Sequence, residues 1–99
     1  MNYTVSNEAT ADLENIWLYT FENWSVEQAD RYLQLILDEF NYLSKEPNSG
    51  KDRSDIRVGY LSSKVKSHVI FYTIEVHSAH IKIERVLHEN MDIPNRLRD

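Results

Sequence analysis

The sequence predicts an α+β domain of two layers: an N-terminal helical hairpin packed on a small, mainly antiparallel sheet, in the order β-αα-βββ. Three observations carry this. Residues 9–43 hold two apolar stripes with helical spacing, residues 67–88 switch to strand-like alternation, and Pro47-Asn48-Ser49-Gly50 punctuates the change. A helix pair and a sheet that each have one apolar side bury those sides against each other. At 99 residues the chain is one domain, 1–99, with the hairpin at about 7–46, strands at about 56–88 and a short segment 89–99.

Each element has its own signal. Tyr3–Val5 reads as a short strand, with Ser6 or Asn7 as the cap of the helix behind it. Ala9, Leu13, Ile16, Trp17, Thr20 and Trp24 form the first stripe, and Asp12 and Glu14 suit the positive end of that helix. Ser25-Val26-Glu27-Gln28 is a capping box opening a second helix, whose stripe runs Val26, Ala29, Leu33, Ile36, Leu37, Phe40 and Leu43. The helices are so close in sequence that they fold back on each other. Ile56–Leu61 reads as a strand. In Ser67–Val76 the residues His68, Ile70, Tyr72, Ile74 and Val76 alternate against Val69, Phe71, Thr73 and Glu75. After the turn His77-Ser78-Ala79, a further strand sets Ile81, Ile83, Arg85 and Leu87 against Lys82, Glu84, Val86 and His88. One sheet face meets the helices; the other is expected to stay open for a partner.

Composition narrows the function. The formal charge is −5, from 11 basic and 16 acidic residues, the wrong balance for non-specific grip on nucleic acid. Residues 1–49 carry net −7 and residues 50–99 net +2, so a basic partner segment is steered to the front half. There is no cysteine, which excludes disulfides, thiolate metal sites and thiol nucleophiles. No apolar stretch approaches the length of a membrane span, and no basic residue precedes Arg31, so the expectation is a cytoplasmic protein without membrane contact. His77 and His80 straddle a turn with no third ligand at a recognisable spacing, so neither metal nor cofactor is expected.

Several residue runs, taken together, resemble the ParE toxins of the RelE/ParE toxin–antitoxin superfamily. They are Ala11-Asp12-Leu13-Glu14-Asn15-Ile16-Trp17, Gln28-Ala29, Tyr32-Leu33, Ile56-Arg57, Gly59-Tyr60, Ser67-His68-Val69-Ile70-Phe71-Tyr72, Arg85-Val86-Leu87-His88 and Met91-Asp92. The resemblance covers nearly the whole chain and implies the same β-αα-βββ fold. It implies a bacterial toxin of a type II module, serving plasmid or chromosome stabilisation, that traps DNA gyrase on cleaved DNA. It also implies a ParD-type antitoxin whose tail wraps the toxin and whose other part binds operator DNA, so that the toxin meets the operator only indirectly. Two departures stand out: Leu61 follows Gly59-Tyr60 where the family commonly has a basic residue, and Lys66 precedes Ser67-His68 where a glycine is common.

The superfamily's other branch consists of ribosome-dependent mRNA endoribonucleases. Cleavage through a ribose 2′-hydroxyl needs a base, a leaving-group donor and cations against the developing negative charge. Here the last strand runs into His88-Glu89-Asn90-Met91-Asp92, with carboxylates where cations are wanted and His88 as the one acid–base candidate. The preferred reading is a non-enzymatic inhibitor; the alternatives are the ribonuclease and a non-toxic antitoxin-binding co-repressor. Candidate target contacts are Arg57, Lys64, Lys66, His68, Arg85, His88, Arg96 and Arg98. Candidate antitoxin contacts are Leu13, Trp17, Tyr32, Ile36 or their exposed neighbours, and Arg57. His68 is read either as a packed, hydrogen-bonded residue or as a contact, and Arg85 as half of an ion pair with a carboxylate such as Asp92.

Overall fold

In the computed structural model, which describes residues 2–78 and 80–97, β1 (Tyr3–Val5) leads into α1 (Asn7–Asn23) and α2 (Val26–Lys45). A 3-10 turn at Pro47–Ser49 follows, then β2 (Lys51–Asp52), β3 (Leu61–Val65), β4 (His68–Glu75), β5 (His80–His88) and the one-turn helix α3 (Ile93–Arg96). The sheet order is β1-β5-β4-β3-β2, with β1 parallel to β5 and the other pairs antiparallel. The expected α+β layering holds.

The helix starts follow the caps. Ser6 ends β1 and caps α1: its hydroxyl accepts from the Ala9 N–H at 2.9 Å and donates to the Glu84 carbonyl at 2.7 Å. Its own N–H donates to the Ile83 carbonyl at 2.9 Å, so the chain leaves the sheet while still bonded along β5. Ser25 accepts from the Gln28 N–H at 3.1 Å and starts α2. Ala9, Ile16, Ile36, Phe40 and Leu43 from the hairpin then pack on Ile70, Tyr72, Ile81, Ile83 and Val86 of the sheet. Each large side chain enclosed this way contributes about 1.5–3 kcal/mol.

Three expectations change. Ile56–Leu61 is not a strand: the Arg53 N–H donates to the Tyr60 carbonyl at 2.8 Å, the Ile56 N–H to the Arg53 carbonyl at 2.9 Å and the Tyr60 N–H to the Arg57 carbonyl at 3.1 Å. Those local bonds, with Gly59 at φ 87°, curl 53–60 into a loop and delay β3 to Leu61. Next, β5 carries a bulge: Phe71 pairs with Arg85 but Tyr72 with Ile83, leaving Glu84 over. Beyond it, Val86 and not Arg85 follows Ile81 and Ile83 onto the helix side. Finally, the second sheet face is not open. Leu97 seals Phe71 and Leu87, with Ile56, Tyr60, Val69 and Ile93 around them. Two guanidinium groups secure this cover: Arg57 donates to the Leu97 carbonyl at 2.7 Å and Arg85 to the Arg96 carbonyl at 3.2 Å.

Candidate functional site

Because β1 pairs only with residues 81–83, the far half of β5 would present unpaired backbone groups along its edge. α1 satisfies them. Asp12 accepts from the Val86 N–H at 2.9 Å and clasps Arg85 with both oxygens, at 2.8 Å to Nε and 3.0 Å to Nη2. The Asp12 carboxylate raises the Arg85 pKa further above its usual value. Arg85 is therefore half of an ion pair as expected, but with Asp12 rather than Asp92; the bulge and the edge position bring it to α1.

Past this clasp, α1, α2 and the ends of β4 and β5 border a groove of about 990 Å³. Its floor is a cross-strand pair, His68 on β4 and His88 on β5, with ring centroids 5.2 Å apart. His68 Nδ1 shares a 2.6 Å hydrogen bond with the Tyr32 hydroxyl of α2. Burial, then the neighbouring His88, pushes the His68 pKa below its ordinary 6.5, so it is neutral at pH 7. His88 Nδ1 accepts from the Asn90 N–H at 3.1 Å. The rim is aromatic and apolar: Tyr19 and Trp24 meet edge to face at 6.2 Å and are 61% and 63% exposed, with Leu35 and Met91 beside them.

The hairpin has a second surface on its outer side. Leu13, Trp17, Leu18, Leu33 and Leu37 line a shallow depression of about 460 Å³ whose one ionisable member is Glu14. Trp17 stacks on Phe21 at 5.3 Å, and its indole N–H donates to Asp30 at 2.9 Å.

These surfaces divide the candidate residues. Tyr32, His68, Arg85, His88 and Arg96 meet in the groove, and Leu13 and Trp17 lie on the outer face. Ile36 is fully enclosed, so any contact there falls on its exposed neighbours, such as Leu35. Lys64 stands near the floor and pairs with Glu89 at 2.7 Å, while Lys66 occupies the exposed β3–β4 turn. Arg57 is committed to the C-terminal segment and lies 5.5 Å over the Tyr60 ring. Arg98 lies outside the described residues. Tyr19, Met91 and Arg31 were not among the contacts named from the sequence. The stripe rule ranks residues by helical spacing, whereas these line a gap formed only when α1, α2 and β5 meet.

The arrangement suits binding better than bond cleavage. Arg85 and Lys64 already face carboxylates, Asp12 and Glu89. Among the described residues no cluster of three or more His, Asp or Glu side chains could hold a metal ion.

Known proteins share this fold along almost its whole length. A chain of a chromosomal ParDE toxin–antitoxin system from P. aeruginosa superposes with a TM-score of 0.76 at 20% identity, covering 89% of this chain and 95% of that one. A chain of the RelBE2 toxin–antitoxin complex of Mycobacterium tuberculosis gives 0.68 at 22% identity, covering 88% and 95%. Sequence relatives go further than fold. Toxin ParE1 of Caulobacter vibrioides is 36% identical over 90 residues, 91% of each chain. Toxin ParE1 of Mycobacterium tuberculosis is 35% identical over 95 residues, 96% of each chain. The family model described as the ParE toxin of the parDE type II toxin–antitoxin system matches residues 3–93, which takes in the hairpin, every strand, the Asp12–Arg85 clasp and the histidine floor. The chain therefore belongs to the ParE toxin family of type II toxin–antitoxin systems.

Proposed function

We propose that this protein is a cytoplasmic toxin that inhibits DNA gyrase by binding it, and that a ParD-type antitoxin neutralises it. Membership in the ParE family over residues 3–93 carries the reading. ParE toxins are in general poisons of their target and not enzymes. The groove supports a binding role: it offers aromatic anchors, Tyr19 and Trp24, above a polar floor, the arrangement that holds a partner segment with apolar side chains and a charged rim. The antitoxin tail crosses the hairpin, using the groove at Tyr32 and the outer face at Leu13 and Trp17. The target meets the more basic half of the chain, with Lys66, His88 and Arg96 as contacts. Operator DNA is reached only through the antitoxin. No helix of the described chain is long and apolar enough to cross a membrane.

A supercoiling assay with purified gyrase tests the reading. Added toxin should stop supercoiling and accumulate cleaved DNA, and prior mixing with the antitoxin should restore activity. Undisturbed gyrase alongside codon-specific cuts in translated messages would replace this reading with ribosome-dependent cleavage, and His88→Ala would then abolish the cuts.

A further inference from the structure

We propose that the floor of the groove reads a carboxylate: His68 and His88 together receive a carboxylate carried by a partner segment whose apolar side chains rest on Tyr19, Trp24 and Leu35. This deepens the reading of the groove as a partner's seat and rests on that part of it.

The argument starts from the two rings. They occupy paired positions of β4 and β5 and meet edge to face, centroids 5.2 Å apart and planes at 85°, and each has already committed Nδ1. His88 Nδ1 accepts from the Asn90 N–H at 3.1 Å, so the neutral ring carries its proton on Nε2. His68 Nδ1 is held by the Tyr32 hydroxyl at 2.6 Å; with that hydroxyl donating, His68 also carries its proton on Nε2. In that tautomer both rings lining the groove have an Nε2–H to offer, and a carboxylate is the common protein group with two acceptor oxygens to meet them.

The surrounding charges favour an acid there. Facing His68 are Asp12 from α1, His88 from β5 and Glu89 just beyond it. Arg85 neutralises Asp12, and Lys64 of β3 neutralises Glu89. Glu8 lines the groove at the start of α1, but so do Arg31 of α2 and Arg96 of α3, and among the described residues neither arginine is ion-paired.

The test needs neither antitoxin nor gyrase, so its failure leaves the toxin reading standing and its success does not depend on it. Indole-3-propionate and its neutral isostere indole-3-propionamide are titrated into the full-length protein, with the imidazole nitrogens followed by NMR. The acid should shift both histidine signals and bind about tenfold more tightly than the amide, the difference expected for one charge-assisted pair. His88→Gln, at a partly exposed strand end, should erase the preference for the acid; His68→Gln repeats the test where it folds. Equal affinity for acid and amide, a preference that survives His88→Gln, or no binding of the acid each overturns the proposal.

Discussion

The helical hairpin presents two surfaces built by opposite rules. On the groove side its polar groups are partnered across elements: Asp12 with Arg85 and the Val86 N–H, Tyr32 with His68. On the outer side the lining is carbon, and the polar groups at its border, such as Asp30 beneath the Trp17 indole, are solvent-facing. The same two stripes of sequence generate both. Polar bonds away from water are strong and position-specific, so the groove is a rigid recognition surface. The outer face has shape and apolar area but little to fix a partner's register.

Removing one carboxylate from each side puts the contrast at risk most directly. Asp12→Ala leaves the Arg85 guanidinium and the Val86 N–H without their acceptor at a largely buried corner, and should destabilise the protein by about 3 kcal/mol in urea unfolding. Asp30→Ala removes an exposed hydrogen bond and should cost under about 1 kcal/mol. Adding Arg85→Met to Asp12→Ala should recover part of the loss, because the unpaired charge goes with it. Equal costs for the two alanine variants would erase the distinction between the surfaces.

A second substitution asks whether the hairpin is pinned at its far end as firmly as at the clasp. After α2, the Tyr72 hydroxyl donates to the Pro47 carbonyl at 2.7 Å and accepts from the Gly50 N–H at 3.0 Å. A Cβ on residue 50 would run into that hydroxyl and its ring, both held in the core. Gly50→Ala should therefore cost about 2 kcal/mol through overpacking. A neutral result would mean that the turn slides away from Tyr72 and that the clasp alone anchors the hairpin.

Much of this was legible in the sequence, and the misses have physical causes. The hairpin, both serine caps and the alternation of β4 are local, and local rules found them. Arg85 was recognised as needing a carboxylate, but Asp12 was read as a helix-dipole residue. Its pairing spans most of the chain and depends on a bulge at Glu84 that leaves no mark in the composition of β5. The false strand at 56–61 has suitable residues; what defeats it is a set of short-range hydrogen bonds that period-two counting does not register. Leu97 as the lid of the second face was invisible because a single apolar residue beyond α3 has no periodicity at all.

The groove also differs from the outer face in its response to acid. Burial and His88 hold the His68 pKa below 6.5, so the folded protein takes up this proton less readily than the unfolded chain. That contribution to stability is complete above the unfolded value and is lost as pH falls below it toward the folded value. Melting temperature should decline as pH is lowered from about 7 to about 5, and His68→Gln should flatten the decline. The exposed carboxylates Asp52, Asp55 and Glu89, whose pKa values are lowered by their partners, act in a separate window: their share disappears only below the usual carboxylate range. A pH profile unchanged by His68→Gln would assign the decline to other groups and remove the acid response from the groove.

The smallest effect concerns the turn that carries His68 into place. Lys66 sits at φ 55°, in the left-handed region where a Cβ crowds the backbone and glycine is at ease. The lysine is therefore kept at a conformational cost. Lys66→Gly should stabilise the folded protein by a few tenths to about 1 kcal/mol, less the entropy that glycine adds to the unfolded chain. If it does so without changing the His68 imidazole signals, the turn sets register alone and the lysine serves contact with a partner. If the signals move, the strain of this one residue helps to aim the groove floor, and Lys66 belongs to the site through its backbone rather than its charge.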